Sequence, residues 1–238
     1  MVAMLATGFG MTLKIFFLTL IGSVPLGVIV ALGRMNTWAP FKFLGRVAEK
    51  HAALAWICGS LSRFAPIALL TRFYISVMRG TPLMLQMFAI YFAPYYVFGM
   101  ELSTESKFNA CIIAFIINYA AYFAEIYRSG IQSIPRGQYE AASVLGYSRS
   151  QTFFRIVLPQ VAKRIMPAMG NEIITLVKDT SLAFAIGVAE MFSTAKALVA
   201  SQVTMLPFVI AALFYWVFNF VIEIILNFVE KKMNYYHD

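Results

Sequence analysis

The sequence predicts an all-α integral membrane protein, and three observations carry that expectation. First, 61% of its 238 residues are hydrophobic and only 13% are charged, with a mean hydropathy of +0.75. A soluble domain of this length does not expose so little charge. Second, five apolar runs are long enough to cross a bilayer, at about 8–32, 80–100, 108–131, 165–192 and 206–229. Third, the Lys and Arg residues gather in alternate connecting segments, as they do when one side of a membrane retains them. One membrane domain, 1–238, accounts for the whole chain.

The first run, Gly8 to Leu32, has about 25 residues, sufficient for a core of roughly 30 Å with some tilt. Gly22, Pro25 and Gly27 within it permit close helix contact or a bend. It lacks a basic leader and a cleavage site, so it is expected to stay in the mature protein. Segment 34–79 reads as an inner surface stretch. Lys42, Arg46 and Lys50 recur every four residues while Leu44, Val47, Leu54 and Leu61 fall towards another face, the pattern of an interfacial amphipathic helix. A rival reading makes Ala52 to Leu70 an additional span, at the expense of placing Arg63 near mid-membrane and reversing the chain's sidedness. Arg79 reads as an interfacial anchor.

The second run carries Pro82 and Pro94, which remove backbone donors near its two ends and predict kinks there. In the third, Asn118, Tyr122 and Glu125 are spaced i, i+4 and i+7 and share one helix face. The fourth holds Glu172, Lys178, Asp179 and Glu190, a charge load that belongs in a bundle interior or along a water-filled path. Glu172 and Asp179 are two turns apart and project together, a partner for an ammonium or guanidinium. Asp179, Thr180 and Ser181 are three N-cap formers in a row, which predicts a helix that breaks and restarts there with N–H groups free for a carboxylate. The alternative is structural: Lys178 neutralises Asp179, and Glu172 pairs elsewhere in the bundle.

Between the third and fourth runs lies a polar stretch, 134–159, reading IPRGQYEAASVLGYSRSQTFFRIVLP. Its backbone and charges need water, so it is expected outside the bilayer. Pro135 can open a helix, Gly146 fits a left-handed stop, and Ser148 with Gln151 has capping-box spacing. Pro159 is expected to close the second helix. Ala141, Ala142 and Ser143 would present small side chains to a partner's groove.

Glu140-Ala141-Ala142, then Gly146, then Ile156-Val157-Leu158-Pro159 resembles the EAA loop of ATP-binding-cassette importer permeases. Arg79-Gly80-Thr81-Pro82-Leu83, Gly170-Asn171-Glu172 and Lys178-Asp179-Thr180-Ser181-Leu182 extend the resemblance to the polar-amino-acid permeases of the histidine, glutamine and arginine type. The resemblance spans about residues 72–232. It implies a five-helix type I importer permease with a cytoplasmic EAA coupling loop at 134–159, in which Glu140, Ala141, Ala142, Gly146 and Pro159 engage cytosolic ATPase subunits. It also implies a second permease subunit, like or similar, and an extracytoplasmic amino-acid-binding protein. The substrate path is expected along Asn118, Tyr122, Glu125, Glu172, Asp179, Thr180 and Ser181. Glu172 points to cationic amino acids such as arginine, lysine or histidine, with neutral polar ones such as glutamine or cystine as the alternative.

The motifs bound the chemistry. No G-x-x-x-x-G-K-[ST] occurs, so ATP and its magnesium belong on a partner and the chain is not expected to be an enzyme. His51 and His237 are its only histidines, and Cys58 and Cys111 have no metal-ligand or redox spacing. No metal or cofactor is expected, and both cysteines read as packing residues. The basic residues from Arg34 to Arg79 and from Arg128 to Arg164 face Lys107 and Lys196 on the opposite side. By the positive-inside rule the N-terminus is external and the C-terminus cytoplasmic, and the resemblance implies a bacterial inner membrane. A passive channel is the alternative of a different class, and the capped polar knob argues against it.

Overall fold

The computed structural model describes residues 1–42, 62, 64–101 and 103–233, and within them the regular structure is entirely helical. The elements are α1 (Val2–Arg34), α2 (Pro66–Gly80), α3 (Leu83–Phe98), α4 (Thr104–Gln132), α5 (Arg136–Val144), α6 (Arg149–Thr152), α7 (Leu158–Asp179), α8 (Met191–Gln202) and α9 (Leu206–Met233). A π-helical turn, Phe153–Val157, joins α6 to α7, and a 3-10 segment, Thr180–Ile186, extends α7. Helices α1, α4 and α9 are each long and apolar enough to cross a membrane. The bent pair formed by Arg149–Ile186 and Met191–Gln202, turning by 57°, is a fourth candidate.

Helix α1 is the scaffold on which α4 packs most extensively, with α8 and α2 beside it. The approach is close: a Cβ on Gly27 would stand 2.8 Å from Phe123 Cβ and 3.2 Å from the Ala120 carbonyl oxygen, so only glycine fits. Ala31, Ala121 and Ala124 continue this small-residue seam, as expected where helices must associate without a hydrophobic drive between them. The main core gathers Phe115, Tyr119 and Phe123 of α4 with Met87 of α3, Leu176 and Val177 of α7 and Ile222 of α9. Cys111 lies fully buried in it, as a packing residue should.

The outer surfaces are apolar in the way a lipid-facing surface must be. Phe17, Ile21 and Ile29 of α1 and Leu213, Trp216, Phe220 and Phe228 of α9 are exposed. In water such faces would be an aggregation hazard; in hydrocarbon they need no partner.

Several boundaries depart from the sequence expectation. Helix α3 has only 16 residues, about 24 Å, because Pro82 ends α2 and restarts the chain. Helix α2, expected as the tail of a surface segment, packs against α1 and α4, burying Ile75, and the Tyr74 hydroxyl donates to the Ile117 carbonyl. Extended backbone at Ala65 precedes α2, and most of the rival span from Ala52 to Leu70 lies outside the described residues. The proposed amphipathic helix through Leu44, Arg46, Val47, Lys50, Leu54 and Leu61 lies outside the described residues, as do Cys58 and Arg63.

Candidate functional site

Two cavities open between α2, α4 and α7, and they share Arg79, Tyr122 and Glu172 in their walls. The first, about 410 Å³, extends towards the polar loop past Glu125, Ser129, Ser133 and Arg164. The second, about 550 Å³, runs the other way along Gly80–Leu83, Asn118, Tyr119, Thr175 and Asp179. Glu172, Thr175 and Asp179 are spaced i, i+3 and i+7, which is why one face of α7 supplies all three. Asn118, Tyr122 and Glu125 line the opposing wall from one face of α4 as their spacing requires. Five of the seven path residues inferred from sequence therefore line one or the other of these adjoining cavities, Tyr122 and Glu172 lining both.

Thr180 and Ser181 do not. The helix does not restart at Asp179-Thr180-Ser181; it continues through them as a 3-10 turn. The Thr180 hydroxyl donates to the Val177 carbonyl at 2.6 Å and the Ser181 hydroxyl to Lys178 at 2.7 Å, the back-bonding that such side chains make inside helices. The break falls later, between Gly187 at φ +76° and Glu190. Glu190 is 0% exposed and accepts from the Phe192 and Ser193 amides, both at 2.6 Å, and from the Tyr215 hydroxyl at 3.2 Å. Sequence inspection missed this cap because glutamate is not a favoured N-cap residue while Asp, Thr and Ser are.

Charge around the shared wall is arranged by named contacts. The Arg79 guanidinium lies 5.3 Å from the centre of the Tyr122 ring and lines both cavities. The Tyr119 hydroxyl donates to Asp179 at 2.7 Å. Arg128 donates to Glu125 and to Gln132, so Glu125 is an ion-paired wall residue.

Asn118 spends its amide hydrogens on the Met78 carbonyl at 3.0 Å and on Gln86 Oε1 at 2.9 Å. Gln86, which nothing in the sequence pattern had singled out, donates in turn to the Met78 and Thr81 carbonyls at 2.9 and 3.0 Å.

The polar loop folds as a capped knob. Helix α5 ends in a Schellman turn: the Tyr147 amide donates to Ala142 and the Gly146 amide to Ser143, both at 3.0 Å, with Gly146 at φ +76°. Ser148 and Gln151 form a reciprocal capping box. Two expectations fail here. Pro159 does not close the second helix; the preceding turn widens so that the Leu158 amide reaches Phe153, and the chain runs on into α7 with Pro159 in its first turn. Such widening accommodates a residue with no N–H to give. Nor is Ala142 at the surface, being 1% exposed, while Glu140 and Ala141 are exposed. The outward apolar residues are Val144 and Leu145, 87% and 73% exposed.

Residues 52–235 match the family of inner membrane components of binding-protein-dependent transport systems. The chain belongs to that family. It is 34% identical over 199 residues to the L-cystine transport system permease protein TcyB of Bacillus subtilis (strain 168), covering 83% of each chain. Identity is also 34% with the arginine transport system permease protein ArtQ of the same organism, over 95% of this chain and 90% of that one. One chain of the crystal structure of an amino acid ABC transporter with histidines superposes with a TM-score of 0.78 at 31% identity, covering 97% of this chain and 94% of that chain. In this permease, then, the paired cavities and the exposed knob belong to an inner-membrane transport component, and the fold of the bundle is that of a transporter subunit.

Proposed function

We propose that this permease is the membrane subunit of an ATP-driven importer of polar amino acids, and that the shared wall of the two cavities is where the amino acid is held. The single observation that carries the reading is the convergence of Arg79, Glu172 and Asp179 on one cavity. A zwitterion offers a carboxylate and an ammonium. Arg79 suits the first, since guanidinium and carboxylate match in charge and geometry. Glu172 and Asp179 suit the second, and their paired charge favours a substrate with an additional cationic end. With no free amides at 179–181, Arg79 takes over the anion-binding role inferred there from sequence. Asn118, Tyr122 and Glu125 are assigned to the path walls. Thr180 and Ser181 act through the backbone they fasten.

In this reading the chain crosses the inner membrane five times, with α2 and α3 together making the second passage, the N-terminus outside and the C-terminus in the cytoplasm. Two ATPase subunits grip the knobs of two permease chains through Glu140, Ala141, Gly146 and the exposed Val144 and Leu145. Ala142 and Pro159 shape the knob from within. ATP binding then favours one orientation of the bundle and its hydrolysis the other, which moves substrate only if the two states differ in affinity for it. A binding protein on the outer side delivers the amino acid, and ATP and magnesium stay on the partner.

The cystine and arginine permeases among its relatives leave the charge of the cargo to be decided by experiment. In the complex reconstituted with its ATPase and binding protein, Glu172→Gln is expected to weaken uptake of arginine or lysine about tenfold, the scale of one charge-assisted contact, and of glutamine far less. Equal loss for both classes removes the charge-reading role, and uptake of neither by the unaltered complex removes the substrate assignment.

A further inference from the structure

The corner between α2 and α3 is held by two buried amides whose placement is set by a single missing hydrogen. In a continuing helix the Met78 carbonyl would accept from the amide four residues on, but that residue is Pro82, which has none. The last regular bond runs from the Thr81 amide to Val77, and Thr81 itself turns to extended backbone, as a residue before proline must. Bonds to Met78 and Thr81 must therefore come from elsewhere.

Gln86, 9% exposed, supplies them from the first turn of α3. Its Nε2 lies 2.9 Å from the Met78 oxygen, 3.0 Å from the Thr81 oxygen and 2.8 Å from Thr81 Oγ1. Asn118 of α4 adds a second donor to Met78 and a bond to Gln86 Oε1, so α2, α3 and α4 are tied at one carbonyl. The residue directly after that carbonyl is Arg79, whose guanidinium lies over Tyr122 in the wall of both cavities.

We infer that Gln86, held by Asn118, is a positioning residue for Arg79: the amide clamp fixes the backbone from which the guanidinium reaches the amino-acid carboxylate, and Gln86, which lines neither cavity, so sets substrate affinity without touching substrate. This rests on the assignment of Arg79 to substrate made above. A residue that merely stabilised the bundle would act equally whether or not Arg79 were present. One that works through Arg79 loses its effect when Arg79 is gone.

The experiment is a double-mutant cycle on the purified permease–ATPase complex, reading equilibrium retention of radiolabelled arginine, glutamine or cystine, whichever the unaltered complex holds. Arg79→Gln is expected to weaken retention about tenfold and Gln86→Leu about fivefold. Gln86→Leu added to Arg79→Gln is expected to have no further effect. An Asn118→Ala cycle run in parallel, removing one of the two donors to Met78, keeps the test open if Gln86→Leu does not assemble. A Gln86→Leu effect of equal size in both backgrounds, or none in either, overturns the positioning role. An Arg79→Gln complex that retains its amino acid unchanged overturns the substrate assignment instead, which leaves the two failures distinguishable.

Discussion

Two places where this bundle interrupts a helix solve the same problem in different ways. At Gly187–Glu190 the cap is local: Glu190 folds back on the amides two and three residues ahead, and the Met191 amide donates to Thr12 of α1 at 3.3 Å. At Gly80–Pro82 the cap is remote, drawn from Gln86 and from Asn118 on another helix. At the first break Glu190 is fully buried and Gly8 is pressed against the start of α8, while Gly187 and Ala189 are exposed. The second opens on a cavity. A locally capped break serves the architecture, whereas a break capped across helices couples the orientation of Arg79 to the packing of α2, α3 and α4.

The strongest way to break this comparison is Glu190→Ala. It leaves two backbone amides without their acceptor and takes one partner from the Tyr215 hydroxyl, which keeps Thr12 and Thr180 beside it, an expected loss of about 3 kcal/mol. Thermal unfolding of the detergent-purified complex should shift well below that of the unaltered chain. Glu190→Gln, which keeps a carbonyl acceptor, should fall between the two. If the alanine variant unfolds at the unaltered temperature, the cap does not hold the break together. Amino-acid affinity in whatever folded complex remains should be unchanged, because this interruption lies away from the cavity.

A third reversal, at Gly146, lies in the exposed knob and sharpens the contrast. Gly146→Asp forces a Cβ into a left-handed backbone, at about 1 kcal/mol, and places a charge beside the exposed Val144 and Leu145. The bundle should unfold at nearly the unaltered temperature while the ATPase subunit no longer co-purifies. Normal assembly and uptake would remove the docking role of the knob.

What the sequence made legible divides along the same line. The knob's stop at Gly146 and its capping box at Ser148 and Gln151 depend on local chemistry and were readable without a structure. So were the shared faces of Asn118, Tyr122 and Glu125 and of Glu172 and Asp179, since helical periodicity alone decides them. The break at Asp179-Thr180-Ser181 was misplaced because those side chains satisfy themselves along a helix as readily as they cap one. Gln86 was invisible because its partners Met78 and Thr81 become acceptors only once the chain turns at Pro82. The place of Arg79 over a ring of α4 could not be read until the fold brought Tyr122 beneath it.

The finest test of the comparison is Thr81→Ala. Thr81 Oγ1, 2.8 Å from Gln86 Nε2, shares that group's two hydrogens with the Met78 and Thr81 carbonyls and donates to Val77 at 2.8 Å, so its removal loosens the clamp while leaving both main-chain acceptors and the Asn118 bond in place. A single neutral hydrogen bond of this kind contributes about 0.5–1 kcal/mol. If the remote cap governs Arg79, that loss should emerge mainly as amino-acid affinity, weakened about threefold, with the unfolding temperature scarcely moved. A variant that unfolds earlier but binds as before would place Thr81 with Glu190, among the residues that hold the bundle together, and would erase the distinction between the two breaks.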